Sequence, residues 1–428
     1  MNKQISATEA AQILGVSVAS LYSYVSRGLL SSVQHANTRS KRYDLDAVLH
    51  LAARRSDAKQ GGHQVQSAVS WGLPLLETSI SQIANGSLYY RGYDVKKLAQ
   101  TSSLEQIACL LWDDQGRNYF TEDLSQVPLI KLPPIGKLSG IDSPVLQLMS
   151  VLPMLSAKAD AEINTCGTKS GIDFDYAARL MRQMAALLLN VPFSTQAIHL
   201  QIATSWDCDF AQTDLIRSTL VLLADHELNA SSFAVRCVAS TGANLHLALC
   251  AGIAAVTGHR HGGGSALVEA FLNEAQSAED FDSYIQEFFS THEPTIAGFG
   301  HPLYPNGDPR ADYLLERLEQ LATDANNANN CTEAGTNFIP NSTTNTRLRA
   351  GLGYCRQTAQ QLQLLPNMDC VLGLMKWAFL WPDYATSILF IIARSAAWIA
   401  HAQEQQTSGN LIRPRARYIG KYRDNREG

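Results

Sequence analysis

Cysteine is sparse in this chain of 428 residues, and no two of its eight cysteines form a C-x-x-C pair. This scarcity argues against a disulfide framework and against the zinc motifs built on such pairs. No run of about 18 apolar residues is free of charge, since the best candidate, residues 388–400, contains Arg394. The first residues also lack the basic start and apolar run of a signal peptide. We therefore expect a cytoplasmic protein without a membrane span, whose thiols are mostly buried and reduced.

Charged residues make up 17% of the chain and hydrophobic residues 46%, which is typical of a globular protein and excludes a disordered one. The charge is unevenly distributed. Residues 1–60 hold eight basic and four acidic side chains, a net charge of +4, whereas the rest of the chain carries −9. The total of −5 argues against a globally basic nucleic-acid binder. A basic head on an acidic body predicts at least two domains with different partners.

The basic head, residues 1–55, carries a helix-turn-helix pattern. Ser6 to Glu9 fits a capping box, which predicts a helix starting near Ala7, and Gly15 should end that helix. Residues 38–43 then predict a hairpin or wing that reaches phosphates. The segment EAAQILGVSVASLYSYVSRGLL resembles the winged helix-turn-helix of mercury-resistance-type regulators, although a helical module that docks on protein remains an alternative. The candidate DNA-contacting residues are Tyr22, Arg27, Arg39, Lys41 and Arg42.

Residues 56–70 are polar, contain Gly-Gly and predict a linker. From residue 71 onward the pattern predicts an all-α body with one small hairpin at Asn85-Gly86. The tract 324–346 is rich in Asn and Thr and predicts a loop or disordered insertion. Helical spacing of apolar residues covers 104–112, 144–157, 174–189, 215–223, 245–256 and 371–402, the last interrupted at 381–383.

Three histidines, His226, His261 and His301, stand in segments suited to chemistry, two of them beside glycines that let a ligand approach closely. The pair at 259 and 261 could suggest a metal, but no further ligands stand at known spacing, and we expect none. The glycines at 262–264 lack the order of a phosphate-binding loop. Arg394 lies in an apolar helix, where a guanidinium is costly unless it meets an anion.

Together these segments resemble the citrate synthase family over about residues 72–420. The resemblance implies a large helical domain, residues 71–264 and 380–428, and a small helical domain, residues 265–379, that close over a cleft. It is carried by seven motifs in order: SISQIANGSLYYRGYDV, ADHELNASSFAVRCVAST, GHRHGGGSALVEA, GFGHPLYPNGDPRA, PNMD, ARSAAWIAH and RPRARYIG.

The resemblance implies that acetyl-CoA condenses with oxaloacetate and that the thioester is then hydrolysed to citrate and CoA, with no cofactor beyond the CoA thioester substrate. Asp369 would be the general base on the methyl group, His261 the donor to the enol oxygen and His301 the donor to the oxaloacetate carbonyl. Arg413 would reach in from the partner subunit, which implies a homodimer. The oxaloacetate ligands would be His226, Arg310, Arg394 and Arg413.

Two alternatives remain open at this point. One is a 2-methylcitrate synthase that uses propionyl-CoA, because one methylene discriminates by only about 1–3 kcal/mol in an apolar pocket. The other is a DNA-binding regulator whose body senses a metabolite. The chain also departs from the family's pattern: Cys370 follows Asp369 where Phe is common, and Pro302 follows His301 where Arg or Lys is frequent. The smaller Cys370 side chain would enlarge the acyl or keto-acid pocket.

Overall fold

The chain separates into two compact units, residues 1–77 and 78–428. Residues 56–70, the predicted linker, lie outside the described residues. The computed structural model describes residues 4–14, 16, 21, 25, 33–34, 41–44, 48, 76–112, 116–120, 141–163, 171–258, 260–277, 280, 283–284, 287, 297–329 and 342–414.

The first unit contains β1 (Gln4–Ser6), α1 (Ala7–Ile13), β2 (Val33–Gln34) and β3 (Lys41–Asp44). The capping box is confirmed: the Ser6 N–H donates to the Glu9 carboxylate at 2.8 Å and the Glu9 N–H donates to Ser6 Oγ at 3.3 Å. β3 pairs antiparallel with both β1 and β2. The core of this unit is formed by Ile5, Ala10, Ala11, Leu14, Leu21, Tyr43 and Val48.

The five candidate DNA contacts are only partly placed. Lys41 is exposed and Arg42 is half-buried, both on the central strand β3. Tyr22, Arg27 and Arg39 lie outside the described residues. The winged helix-turn-helix therefore stays a prediction.

The second unit begins with a three-stranded antiparallel sheet, β4 (Ser81–Ala84), β5 (Ser87–Tyr90) and β6 (Tyr93–Asp94), in the order β4-β5-β6. The predicted hairpin at Asn85-Gly86 is confirmed. Both turn residues have positive φ, 52° and 73°, which is the backbone that Asn-Gly readily adopts in a two-residue turn. The register pairs Ser81 with Tyr90.

Helices make up the rest of the described part of this unit. The structure confirms the predicted helices at 104–112, 174–189 and 245–256 and the break before residue 385. The helices are α2 (Val95–Thr101), α3 (Leu104–Trp112), α4 (Pro144–Ile163), α5 (Phe174–Leu189), α6 (Ile198–Ser205), α7 (Phe210–Leu223), α8 (Ala230–Ala239), α9 (Leu245–Val256), α10 (Gly264–Ser277), α11 (Pro309–Asn329), α12 (Ser342–Leu362), α13 (Met368–Phe379) and α14 (Ala385–Ser408).

The last helix, α14, is the centre of the core. It contacts α3, α5, α7, α8, α9 and α13, and its Trp398 is fully buried. By length and composition α14 could cross a membrane, yet 94% of its most apolar window is buried inside the protein. Such burial is what the core helix of a globular domain shows.

The prediction for the Asn-rich tract, residues 324–346, is wrong at both ends of the tract. We expected a loop or disordered insertion over 324–346, but α11 continues to Asn329 and α12 begins at Ser342, so both ends of the tract are helical. Residues 330–341 lie outside the described residues. Tertiary contacts override composition here, because Thr344 and Asn345 are buried in the first turn of α12.

Candidate active site

The loop that carries His226 joins α7 to α8 and is fastened to the hairpin. The Tyr90 hydroxyl accepts the Asp225 N–H at 2.9 Å. The Ser81 hydroxyl accepts the Glu227 N–H at 3.1 Å and donates to the Asp225 carboxylate. Glu227 has a φ of 50°, which is a strained backbone angle for a residue other than glycine. The hairpin thus holds the loop in a fixed shape that presents His226.

His226 meets a second histidine and a tyrosine. Its Nε2 lies 3.0 Å from the Tyr304 hydroxyl, and its ring centroid lies 5.2 Å from that of His301. Burial, followed by the nearby charges of Arg310 and Arg394, lowers the pKa of His226 well below its usual value. His226 is therefore a neutral imidazole near pH 7.

His301 is held by its own turn. The Leu303 N–H donates to His301 Nδ1 at 3.1 Å. A neutral imidazole carries one proton, so this contact places it on Nε2 and makes Nε2 the donor. Burial, followed by the charge of Arg310, lowers the pKa of His301 to about 4, against an opposing contribution from Asp308.

Arg310 begins α11 and is locked onto Asp308. Its Nε donates to Asp308 Oδ1 at 2.9 Å and its Nη2 to Oδ2 at 2.7 Å. Both residues are buried. This two-pronged contact fixes the guanidinium plane and leaves Nη1 for another partner. Burial disfavours the charge of Arg310, but Asp308 outweighs burial and raises the pKa of Arg310.

His261 follows the end of α9 at Val256. Its Nε2 is 2.9 Å from the hydroxyl of Ser231, the second residue of α8. Ser231 is fully buried and also accepts the Trp398 indole N–H at 3.2 Å. Burial, followed by the charge of Arg394, lowers the pKa of His261 to about 4. This histidine is also neutral, and its Nδ1 has no hydrogen-bond partner within the described residues.

Asp369 stands in the first turn of α13, where its N–H donates to the Asn367 cap at 2.9 Å. Its carboxylate lies against the N-terminus of α10, so closely that a Cβ at Gly264 would come within 2.5 Å of Oδ2. The Ser265 N–H and the charge of Arg310 favour the ionised form, but burial outweighs them and raises the pKa of Asp369 to about 6. Asp369 is a carboxylate with the basicity of a general base.

Arg394 lies in the middle of α14 with only 2% of its surface exposed. Its Nε and Nη1 have no hydrogen-bond partner within the described part of the chain. Burial lowers its pKa to about 10, against the opposing charge of Asp225. A buried guanidinium with two unused donors is costly unless a bound anion satisfies them.

The structure brings six of the seven predicted enzyme residues into one region, and the charges of Arg310 and Arg394 act on the histidines there. Arg413 follows the end of α14 and is exposed, without a hydrogen bond to the other six among the described residues. Within the described residues no group of three or more His, Cys, Asp or Glu side chains could hold a metal ion. His259 lies outside them.

The sequence did not single out the residues that hold these side chains: Ser231, Tyr304, Asp308 and Tyr90. Spacing alone carried no signal for Ser231 or Tyr90, because their partners lie 30 and 135 positions away in the sequence. Cys370 is fully buried, with its Sγ 3.4 Å from Cys355 Sγ on α12.

Comparison with known proteins agrees with the geometry. The family described as "Citrate synthase, C-terminal domain" matches residues 69–415. "Citrate/2-methylcitrate synthase" of Bacillus subtilis is 28% identical over 377 residues, which cover 82% of this chain and 95% of that protein. "Citrate synthase" of Mycolicibacterium smegmatis is 28% identical over 364 residues, covering 80% and 92%.

Solved structures show the same fold. The citrate synthase of Pyrobaculum aerophilum superposes with a TM-score of 0.63 at 23% identity, covering 82% of this chain and 91% of that one. The citrate synthase of Thermoplasma acidophilum, solved with carboxymethyl coenzyme A and oxaloacetate, gives 0.62 at 20% identity, covering 82% and 95%. The family match spans most of the chain, and the chain is therefore a condensing enzyme of the citrate synthase family.

Proposed function

We propose that this protein condenses acetyl-CoA with oxaloacetate and hydrolyses the resulting thioester, giving citrate and CoA. The observation that carries the proposal is that a basic carboxylate, neutral imidazoles and a buried guanidinium lie in one region. Asp369, a carboxyl group of raised pKa, and His301, a neutral imidazole, both feel the charge of Arg310. The buried Arg394 has two donors without a hydrogen-bond partner among the described residues. A thioester with a weakly acidic methyl group and a dicarboxylic keto acid together satisfy these groups.

Asp369 takes a proton from the methyl carbon of the thioester, and the electron pair moves toward the carbonyl oxygen to give an enolate. His261 donates a hydrogen bond to that oxygen from Nδ1, which requires the Ser231 hydroxyl to turn its proton from Asn229 Oδ1 to His261 Nε2. One positioned donor of this kind lowers a barrier by about 3–4 kcal/mol. Because burial keeps the pKa of His261 near 4, the donor is a neutral imidazole.

His301 polarises the ketone of oxaloacetate through its Nε2–H. As the enolate carbon attacks the ketone carbon, the carbon–carbon bond forms, and the ketone oxygen gains charge and takes this proton. Arg310 and Arg394 bind the two carboxylates, with His226 beside them. Water then attacks the thioester carbonyl carbon and the carbon–sulfur bond breaks. CoA leaves as the thiol with the proton that Asp369 took, and of the two protons of the water one restores His301 and the other leaves to solvent. No cofactor beyond the thioester substrate takes part.

The site residues divide between the two proposed helical domains. His226, His261 and Arg394 belong to residues 71–264 and 380–428, whereas His301, Arg310 and Asp369 belong to residues 265–379. Closure of the small domain on the large one would exclude water until the carbon–carbon bond has formed. The described cysteines are all free thiols, which suits the proposed cytoplasmic location.

The test is release of the CoA thiol by the purified full chain, with acetyl-CoA and propionyl-CoA offered in turn and oxaloacetate present or absent. Oxaloacetate-dependent thiol release supports the proposal, and its absence with both thioesters removes it. A higher kcat/KM with propionyl-CoA would make the protein a 2-methylcitrate synthase instead. The matches to relatives do not favour the third possibility, a regulator with a sensing body only.

We also propose a homodimer. α4 and α9 pack against each other and both expose apolar side chains: Leu146 is 52% and Met154 53% exposed on α4, and Leu247 is 39% exposed on α9. An apolar helix pair that the described residues leave exposed suits an isologous contact with a second copy. In such a dimer the exposed Arg413 of the partner subunit would complete each cleft.

Arg413→Ala is expected to raise the KM for oxaloacetate by at least about 10-fold, because a carboxylate loses a charged partner. Mixing Arg413→Ala with Arg394→Ala subunits should then restore up to about one quarter of wild-type activity, since one cleft in each heterodimer regains both arginines. Thiol release is measured before and after verified subunit exchange. No recovery after exchange would show that Arg413 does not act across the dimer.

A second proposed function belongs to the first unit, which we propose binds duplex DNA. Support comes from the confirmed capping box and from Lys41 and Arg42 on the central strand of a small sheet. In the winged helix-turn-helix resemblance, Arg39, Lys41 and Arg42 contact phosphates, while Tyr22 and Arg27 face the groove. The alternative role is a protein-interaction module.

We expect the full chain to bind DNA weakly, with a slope of log K against log salt near about −3 if three phosphates are neutralised. Fluorescence anisotropy with genomic fragments at several salt concentrations measures this slope. Replacing Arg39, Lys41 and Arg42 by alanine should flatten it. The matched control replaces three exposed basic residues of the second unit, Lys97, Arg117 and Arg356, and should leave it unchanged. If no binding occurs even at low salt, the head is a protein-interaction module.

A further inference from the structure

Tyr304 contacts three residues of the site, His226, His301 and Arg310, although the reaction itself does not use it. It is 2% exposed and lies in the turn before α11. Its hydroxyl is 3.0 Å from His226 Nε2, its ring centroid is 5.0 Å from that of His301, and the Arg310 guanidinium lies 5.7 Å from the same ring. The backbone fixes this turn, since the Tyr304 N–H donates to the His301 carbonyl at 3.0 Å.

The direction of the His226–Tyr304 hydrogen bond follows from the chemistry of the substrate. Oxaloacetate offers His226 only acceptors, namely carboxylate and ketone oxygens. A neutral imidazole has one N–H, so it binds such a ligand only through the nitrogen that carries the proton. Nε2 faces the Tyr304 hydroxyl, so the nitrogen left for the substrate is Nδ1. Nδ1 must therefore carry the imidazole proton, and Nε2 must accept a hydrogen bond from the Tyr304 hydroxyl.

Tyr304 can supply that proton. Its hydroxyl has no acceptor other than His226 Nε2 within the described residues. Burial raises the pKa of Tyr304, so the phenol stays protonated across the working range. Without the hydroxyl, both tautomers of His226 become accessible, and the one with hydrogen on Nε2 cannot donate to the substrate.

We infer that Tyr304 is a positioning residue that donates its hydroxyl proton to His226 Nε2 and thereby holds His226 as the Nδ1–H tautomer that binds oxaloacetate. This inference rests on the proposed function for its substrate, but the tautomer itself is a property of the empty protein.

Tyr304→Phe removes the hydroxyl and keeps the ring that packs on His301. The KM for oxaloacetate should rise about 10-fold, the scale of one lost hydrogen bond in a buried site. The KM for the acyl-CoA and kcat should change by less than about 3-fold. The matched control is Tyr313→Phe on α11, a buried tyrosine whose hydroxyl accepts from Arg317 at 3.4 Å. This control should leave all three constants unchanged.

¹⁵N NMR of the full chain labelled at histidine reads the tautomer directly, with the His226 signals assigned by a His226→Gln variant. Wild-type protein should show hydrogen on His226 Nδ1, and Tyr304→Phe should move it partly or wholly to Nε2. Hydrogen on Nε2 in the wild type, or an unchanged tautomer in Tyr304→Phe, overturns the inference. If the tautomer moves as expected but no thiol is released from any substrate, the inference about His226 stands and the proposed reaction fails.

Discussion

Asp369→Ala is expected to lower turnover by at least about 10²-fold with the fold intact, the usual loss when a positioned base is removed. The side chain is small enough to delete without a clash, and the α13 cap contact is made by the Asp369 N–H, which alanine keeps. Turnover is measured by thiol release, and folding by circular dichroism and thermal unfolding. Near-wild-type turnover in a folded variant would remove Asp369 from the mechanism.

The same residue predicts the acid limb of the pH profile. A base works only when ionised, and burial sets the pKa of Asp369 at about 6. It is then about nine-tenths ionised at pH 7 and about one-tenth at pH 5, so kcat/KM should fall roughly tenfold per pH unit below about pH 6. The three histidines stay mostly neutral down to about pH 5, because burial lowers the pKa of His226 well below its usual value and those of His261 and His301 to about 4. A kcat/KM that stays constant down to pH 4.5 would contradict the assignment of Asp369 as the base, even if Asp369→Ala loses activity.

Arg394→Met is expected to raise the KM for oxaloacetate by at least about 10²-fold, because a buried carboxylate then loses a charged guanidinium partner. Without oxaloacetate, by contrast, the substitution should not destabilise the protein. Without a ligand, the two donors of Arg394 that have no partner among the described residues destabilise the folded protein. A methionine of similar length should therefore leave the melting temperature unchanged or raise it. Saturating oxaloacetate should stabilise the wild type, by about 2.7 kcal/mol at 100 times its Kd, but not the variant.

The chain offers a matched control at Arg236, another buried arginine, whose Nη1 donates to Glu404 at 2.8 Å and whose Nε donates to Gln405 at 2.9 Å. Arg236→Met breaks a satisfied pair and should lower the melting temperature while keeping the oxaloacetate-induced gain. Differential scanning fluorimetry with and without oxaloacetate compares the two variants. Equal destabilisation of the empty protein by both would mean that Arg394 is satisfied without an anion.

Local rules in the sequence predicted the elements that local physics decides. Asn85-Gly86 forms its turn because both residues adopt positive φ, and Ser6 with Glu9 forms its capping box because the partners stand three residues apart. The helix breaks at 381–383 follow from Pro382 in the same way. In each case the interacting groups lie within a few residues of one another, so spacing alone identifies them.

Composition failed where distant contacts decide. The Asn-rich ends of α11 and α12 are helical because the helices extend into them from packed turns. The proton arrangement of the site was also beyond sequence reasoning. Ser231, Tyr304 and Asp308 fix the orientation or tautomer of His261, His226 and Arg310, and two of these pairs join groups 30 and 78 positions apart. A sequence motif identifies the histidine, but only the fold shows which residue is its hydrogen-bond partner.

The position of α14 in the chain has a consequence for synthesis. This helix contacts six others, yet it is the last helix of the described chain. While the ribosome makes residues 78–384, the helices that α14 will cover therefore keep their apolar faces open. We expect the second unit to collapse natively only after residue 408 has left the exit tunnel, so chaperone demand should be high during translation, and chains that stop before Ala385 should aggregate.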